Sequence, residues 1–126
     1  MAIDVFQPFT NPVSGETFKC LSSDEQAYVF EWTVQPAGYV PFEHVHLQQD
    51  EVFHVKQGEV KFLIDGKQVI AGAGETAIVK IGQRHIAFNN QNSVMQCTVE
   101  FRPGLETLTG FQCFAEARKS LDIYSN

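Results

Sequence analysis

Basic residues are scarce in this chain, and the few that are present are scattered. Only nine of the 126 residues are Lys or Arg, against fifteen Asp and Glu, which gives a formal net charge of −6. A nucleic-acid partner requires a clustered basic face, so DNA and RNA binding are not expected. No apolar run approaches the roughly 20 residues that span a bilayer, and residues 1–10 lack the pattern of a secretory leader. We therefore expect a cytoplasmic protein with no nucleic-acid or membrane partner.

Cysteine is also sparse. The chain has three cysteines, which are widely separated and never form a Cys-x-x-Cys pair: Cys20, Cys97 and Cys113. This spacing is typical of reduced, mostly buried thiols in a reducing compartment.

Short alternating runs separated by turn residues predict an antiparallel β architecture. Apolar and polar residues alternate over residues 28–34, 60–64 and 95–101. Asp65-Gly66 is a strong hairpin signal, and residues 68–71 are expected to form the returning strand. Many short strands at regular spacing favour a sandwich or a closed barrel.

The length and the 44% hydrophobic content fit a single domain over residues 1–126. Residues 1–25 are expected to form an N-terminal strand or arm, and residues 26–102 the barrel core. Beyond Gly104, apolar residues recur at helical spacing and cations come late in the run. We therefore predict a short C-terminal helix over residues 104–121.

Three of the four histidines belong to one constellation with a glutamate. His44 and His46 differ by two, so in an extended strand they point to the same face, and a strand that begins near Glu51 can run alongside. His85 follows on a later segment. Imidazole and carboxylate together are a ligand set for first-row metals, and four protein ligands can leave an open position. His54 faces the opposite way from Glu51 by alternation, so we do not expect it to be a ligand.

The glycines around these residues extend the pattern into two spaced motifs. The first motif has five fixed positions: Gly38, His44, His46, Glu51 and Gly58. The second has five more: Gly74, Lys80, Gly82, His85 and Asn89. Together they resemble the two signatures of the cupins, over roughly residues 26–102. The single departure is Lys80, which stands where the family pattern has proline. This departure concerns the shape of the turn that leads to His85.

The resemblance implies an all-β fold, a cupin-type jelly-roll β-barrel, to which the helical spacing beyond Gly104 adds the short C-terminal helix. It also implies one divalent transition metal ion, Fe, Mn, Ni, Zn or Cu, held inside the barrel by His44, His46, Glu51 and His85. A homodimer is expected, partly from the apolar N-terminus and partly from the resemblance. Two positive charges against one carboxylate leave a residual charge of about +1, which favours an anionic ligand at the open position.

Alternation also predicts which apolar side chains face inward, where each either packs in the core or contacts a substrate. One arginine next to a ligand either holds a carboxylate substrate or is a solvated loop residue. These candidate substrate contacts are Trp32, Phe53, Phe62, Met95, Cys97 and Arg84. The function expected first is that of a metalloenzyme acting on a small organic substrate, with dioxygenase-like oxidation centred on the metal. Two alternatives stay open. One is a non-catalytic module that binds or senses a metal or small molecule, and the other is a cupin isomerase or decarboxylase.

Overall fold

The computed structural model describes residues 8–40 and 42–104. Within these residues the chain forms nine strands in sequence order. They are β1 (Phe9–Asn11), β2 (Glu16–Ser23), β3 (Tyr28–Val34), β4 (Asp50–Gln57), β5 (Glu59–Ile64), β6 (Lys67–Gly72), β7 (Thr76–Val79), β8 (His85–Phe88) and β9 (Met95–Arg102). The predicted C-terminal helix falls on residues outside the described ranges.

The strands form two antiparallel sheets. The larger sheet has six strands in the order β1-β2-β3-β9-β4-β7, and the smaller has three in the order β6-β5-β8. Every second residue of β3, β5 and β9 is buried, as alternation predicts, because one face of each sheet points into a shared core. The rings of Phe53 on β4 and Phe62 on β5 meet edge to face at 4.8 Å, which joins the two sheets. Over the described residues the result is an all-β, cupin-like double-stranded β-helix fold.

The hairpin prediction is confirmed. Asp65 and Gly66 both adopt positive φ, 50° and 78°, and they connect β5 to β6. Two positive φ values in a two-residue loop match the right-handed twist of the flanking strands. The predicted N-terminal arm also contains strands, since β1 and β2 continue the six-stranded sheet beyond β3. No helix of the described residues is long and apolar enough to cross a membrane.

Two local expectations differ from the structure. His44 and His46 do not lie in a strand, because residues 42–49 form only an isolated bridge between His44 and His85. Cys20 is disulfide-bonded, so the prediction of a reduced thiol is wrong at this position. Pairing depends on how closely the fold brings two cysteines together, which their spacing in the sequence does not report. Cys97 is a buried free thiol, as predicted, and burial raises its pKa to about 12. Cys113 lies outside the described residues.

Candidate metal centre

Three separate segments bring the four predicted ligands to one end of the core. Glu51 is the second residue of β4 and faces inward, and His85 is the first residue of β8. The segment that carries His44 and His46 is fixed to β8 by two backbone hydrogen bonds. His44 N donates to His85 O at 3.0 Å, and His85 N donates to His44 O at 2.9 Å. The isolated bridge therefore has the effect predicted for a strand, because it places His44 beside His85.

The side chains of these four residues form a cluster in which one ligand atom from each lies within 4.8 Å of all the others. The rings of His44 and His85 are 4.2 Å apart, and the ring of His46 is 5.0 Å from that of His44 and 5.1 Å from that of His85. Glu51 Oε1 lies 2.9 Å from His85 Nε2 and 3.3 Å from His46 Nε2. We call these four residues the His-Glu cluster. A set of this size and chemistry can hold a transition-metal ion.

Backbone carbonyls fix the orientation of two of the imidazoles. His44 Nδ1 is 3.1 Å from Phe42 O, and His85 Nδ1 is 3.1 Å from Gln83 O. A carbonyl oxygen only accepts, so both Nδ1 atoms must donate. In a neutral imidazole the lone pair is then on Nε2. Carbonyl partners of this kind orient metal-binding histidines and select the coordinating nitrogen.

The contacts of His85 and His46 fit a cation in the cluster. His85 donates from Nδ1 to a carbonyl, yet its Nε2 also faces an acceptor, the Glu51 carboxylate. A neutral imidazole has only one N–H, so this pair of contacts requires either a protonated ring or a cation at Nε2. Among the described residues, the buried His46 Nε2 has no hydrogen-bond partner, although Glu51 Oε1 is 3.3 Å away. An unsatisfied buried nitrogen beside a carboxylate is what a metal ion would complete.

The charges inside the cluster have opposite effects on its members. Burial alone would raise the pKa of the Glu51 carboxyl, but the imidazoles of His46 and His85 outweigh burial and lower the pKa to about 2. Burial, followed by the charge of His85, lowers the pKa of His44 to about 4. For His85, burial lowers the pKa, but the hydrogen bond and the charge of Glu51 together outweigh burial. The net shift of the His85 pKa is therefore upward. Near neutral pH the cluster thus contains an ionised carboxylate and a neutral His44, the forms that bind metals.

Hydrogen bonds close the turn before His85, where Lys80 replaces the motif proline. Lys80 N donates to Gln83 Oε1 at 2.8 Å, and Gln83 N donates to Lys80 O at 3.0 Å, so backbone and side chain close the turn together. Gly82 has φ +83°, which side-chain-bearing residues rarely adopt, and its N–H donates to His46 O at 2.9 Å. The turn therefore contacts two of the ligand segments at once.

The His-Glu cluster forms part of the wall of a cavity with about 20 Å³ of free space, room for about one water molecule. Apart from the four cluster residues, its lining is apolar, and most of it is aromatic. These residues are Phe18, Phe30, Trp32, Val40, Phe53, Ala87 and Phe101. We call this space the aromatic cavity.

The predicted substrate contacts are divided between this cavity and the rest of the molecule. Trp32 and Phe53 line it. Phe62, Met95 and Cys97 are fully buried in the core and are not part of its wall. The Arg84 side chain is 74% exposed, with Nη1 3.7 Å from Glu43 Oε1. Substrate contact by these residues stays a prediction.

Glu16 was not among the predicted site residues. It is fully buried, and its carboxylate accepts hydrogen bonds from Ser14 Oγ at 2.7 Å and from Trp32 Nε1 at 2.8 Å. Burial raises its pKa to about 7, against the effect of these two hydrogen bonds, and the charge of Glu51 adds to the rise. The sequence signal that could have identified Glu16 is its spacing by two from Phe18 and by four from Cys20. This spacing places a carboxylate on the same strand face as two apolar side chains.

Comparisons with known proteins agree with the fold and with the motifs. The family model for the cupin domain matches residues 30–101, more than half of the chain. No curated protein sequence matches it. Solved structures that resemble it include a double-stranded β-helix domain protein from Klebsiella pneumoniae, with TM-score 0.68 and 23% identity over 82% of this chain and 84% of that chain.

Two further similar structures have titles that mention an activity or a ligand. One is a predicted oxalate decarboxylase from Thermotoga maritima, with TM-score 0.67 and 22% identity over 77% of this chain and 90% of that chain. The other is the Streptomyces protein Pac13 with uridine, a nucleoside dehydratase, with TM-score 0.64 and 20% identity over 77% of this chain and 74% of that chain. At these identities the similarity shows the fold alone. With its family-model match, its double-stranded β-helix and its His-Glu cluster, the chain belongs to the cupin domain family.

Proposed function

We propose that this cupin is a metal-dependent enzyme that acts on a small organic substrate, with dioxygenase-like oxidation as its reaction. The observation that supports this most directly is the convergence of His44, His46, Glu51 and His85 in the wall of an otherwise apolar cavity. A divalent transition ion held there supplies Lewis acidity and, if it is iron, a centre that activates dioxygen.

The residues of the site have separate tasks in this proposal. His44 and His85 are oriented by the carbonyls of Phe42 and Gln83, so their Nε2 atoms point into the cluster. Glu51 contributes the one negative charge and leaves a residual charge of about +1, which favours an anionic oxygen of the substrate. The aromatic wall excludes water and strengthens every electrostatic interaction inside the cavity.

The lining favours a reaction centred on the metal over reactions that depend on a separate acid or base. Within the part of the chain that the structure describes, every ionisable group in the cavity wall belongs to the His-Glu cluster. No described side chain there is free to move a proton to or from a substrate while the cluster holds a metal. In this proposal the chemistry is therefore centred on the metal.

The test begins with metal content. Protein produced in metal-replete cells should contain about one transition ion per chain, and His46→Ala should remove it. His54→Ala is the matched control, because this histidine lies on the same strand as Glu51 but outside the cluster, and it should keep the ion. Wild-type protein that holds no metal after reloading would contradict the proposal.

Oxygen uptake then tests the reaction type. The loaded protein should consume dioxygen with at least one member of a panel of diketones, flavonols, thiols and catechols. Silence across the panel, together with retained ligand binding, would instead support a non-catalytic module that binds or senses a small molecule. About 20 Å³ admits little more than a water-sized group unless side chains move, so within this second candidate the cavity favours a module that holds or senses the metal itself.

Isomerase and decarboxylase reactions are the remaining alternatives within the metalloenzyme class. The titles of the Thermotoga and Streptomyces structures mention a predicted decarboxylase and a dehydratase. Product formation without dioxygen consumption would favour such a reaction here. The homodimer also stays a prediction, and a monomer mass by light scattering would contradict it.

A further inference from the structure

The buried carboxylate of Glu16 needs an explanation, because it is not part of the His-Glu cluster. Glu16 begins β2 and shares its inner face with Phe18 and Cys20. Its neighbours across the sheet are Asn11 on β1 and Val34 on β3, and neither is ionisable. A carboxylate in such surroundings is unfavourable unless its oxygens are hydrogen-bonded. Its partners should therefore reveal its role.

Both carboxylate oxygens of Glu16 accept hydrogen bonds, and one of the donors, Trp32, lines the aromatic cavity. Ser14 Oγ donates to Oε1, and the Trp32 indole donates from Nε1 to Oε2. Ser14 is itself buried, and its backbone oxygen accepts from Tyr39 N at 3.0 Å, so the far end of this chain of contacts is fixed. The indole N–H is only a donor, and Glu16 is the acceptor that the structure provides for it.

The position of Trp32 matters for the cavity. Its ring meets that of Phe53 edge to face at 5.6 Å, and both residues line the aromatic cavity. With only about 20 Å³ of free space, a small rotation of the indole would change which groups can enter. A hydrogen bond that holds the edge of the indole therefore fixes the shape of the cavity.

We propose that Glu16 is a positioning residue that determines specificity, because it holds the Trp32 indole in the wall of the aromatic cavity. Its hydrogen-bond partners are Ser14 and Trp32 and not the cluster, so in this proposal it acts on the cavity through Trp32. The inference rests on the proposed function in one respect, since it takes this cavity as the place where a ligand reaches the metal. The contact between Glu16 and Trp32 itself does not depend on the metal.

The protonation of Glu16 is compatible with this role. A protonated carboxyl can donate to Ser14 Oγ while its other oxygen still accepts from Trp32. The indole therefore keeps its partner on both sides of the pKa near 7, with a stronger, charge-assisted bond on the alkaline side. Among the described residues, Glu51 is the charged group that acts on Glu16.

Trp32 is the only tryptophan in the chain, so its fluorescence reports on this contact without interference. The variants are Glu16→Leu, which removes the acceptor, and Glu16→Gln, which keeps one. Glu31→Gln on the outward face of β3 is the matched control. We expect Glu16→Leu to shift the emission and to increase quenching by acrylamide, whereas Glu16→Gln and the control stay close to wild type. In wild type the emission should also change near pH 7, and in Glu16→Gln this step should be absent.

Specificity is measured with two small carboxylates that differ by one methyl group, formate and acetate, on the Co(II)-loaded protein by visible absorption. We expect Glu16→Leu to keep one metal ion per chain but to change the ratio of the two affinities by about tenfold, the discrimination typical of a small change in pocket size. In a Trp32→Phe background, which has no indole N–H, the same substitution should leave the ratio unchanged. An equal effect in both backgrounds would overturn the proposal, because Glu16 would then act through general packing.

Wild-type emission and quenching in Glu16→Leu would also overturn it. If Glu16→Leu does not fold, Ser14→Ala takes its place, because it removes the group that fixes Glu16 and should produce a smaller change in the same direction. The proposal would be contradicted if the Ser14→Ala protein folds, has the emission of wild type at one pH and shows no change in emission near pH 7. Failure of wild type to bind cobalt would count against the proposed function, whereas the fluorescence results would still decide the role of Glu16.

Discussion

Strand β4 has a histidine–glutamate contact on each of its two faces, and the two contacts differ in everything except length. On the inner face, Glu51 Oε1 lies 2.9 Å from His85 Nε2. On the outer face, His54 Nε2 lies 2.9 Å from Glu100 Oε1. The distance alone therefore does not distinguish a candidate metal site from a hydrogen-bonded pair on the outer face.

The surroundings make the distinction. On the outer face, Arg102 donates to Glu100 from Nε at 2.7 Å, and the second nitrogen of His54 is 3.2 Å from the Thr76 hydroxyl. Burial would raise the pKa of Glu100, but the hydrogen bonds from Arg102 and His54 lower it overall. The protein thus supplies its own cation at this position. Both nitrogens of His54 and the Glu100 carboxylate therefore have partners within the protein.

The inner cluster has more potential metal ligands than the outer pair and no Lys or Arg among the described residues of its cavity wall. Three imidazoles and a carboxylate converge there. One buried imidazole nitrogen lacks a hydrogen bond, and another faces a carboxylate although its ring already donates elsewhere. The feature that indicates a metal site is therefore a set of buried ligand atoms without a cation to bind them. A short contact between a histidine and a glutamate does not indicate one.

The largest expected effect comes from removing one carboxylate on each face. Glu51→Gln should weaken metal binding by about 100-fold or more, because losing a ligand exceeds the effect of losing a group that only orients one. Glu100→Gln should leave the affinity unchanged. Competition with a coloured chelator measures both. Equal losses in the two variants would show that the inner cluster is not the metal site.

The next effect contrasts the buried carboxylate of Glu16 with that of Glu31, which is half-buried on the outward face of β3. The pKa of Glu16 is raised from 4.5 to about 7, so the folded state holds this proton more tightly than the unfolded state. The contribution of this proton to the free energy of unfolding is then fully present below pH 4.5 and is lost as the pH rises through 7. The loss is at most about 3 kcal/mol.

Urea unfolding of the metal-free protein at pH 5 and pH 8 measures this loss. Glu16→Gln should have a smaller decrease between the two pH values than wild type, because a neutral amide does not titrate. Glu31→Gln should decrease as wild type does. If all three proteins lose the same free energy of unfolding, the buried carboxyl is not the group responsible.

The same contrast between faces explains what the sequence could predict. Alternation has period two, so it correctly separated Glu51 from His54 on β4 and identified the buried faces of β3 and β9. The motif spacing predicted the four members of the cluster, because a metal needs its ligands at fixed positions. It could not show that His44 and His46 lie outside a strand, since a single bridge to His85 is enough to align them.

Features set by contacts between distant residues were harder to predict. Glu16 could be placed on an inward face, but its partner Trp32 is known only once β2 and β3 are in register. The size of the cavity depends on how five aromatic rings pack, which no local pattern encodes. Where Lys80 replaces the motif proline, the Gln83 side chain helps to close the turn, a contact that only the folded turn reveals.

A smaller effect is expected at two glycines that differ only in what they adjoin. Gly82 and Gly74 have φ +83° and +88°, and a Cβ added to either would meet nothing within 4 Å. Replacement by alanine should therefore cost about 1 kcal/mol of stability in each case, from backbone strain alone. Only Gly82→Ala should also weaken metal binding, because the Gly82 N–H contacts the His46 carbonyl.

Thermal unfolding and chelator competition on the two variants separate these terms. An equal stability loss with a metal effect confined to Gly82→Ala would show that the turn positions the ligands. A metal effect of the same size in Gly74→Ala would mean that strain anywhere in the barrel reaches the cluster, and the difference between the two glycines would disappear.

The smallest effect should come from the outer pair itself. His54→Ala is expected to change the free energy of unfolding by less than about 1 kcal/mol, because a partly exposed ion pair gains little over its hydration. The coupling energy between His54 and Glu100, from the double variant with Glu100→Gln, should be equally small. The His54 side chain is 39% exposed, whereas that of His85 is 2% exposed. A coupling well above this range would mean that the outer pair stabilises the sheet as strongly as a buried contact, and burial would then no longer explain why the two faces of β4 differ.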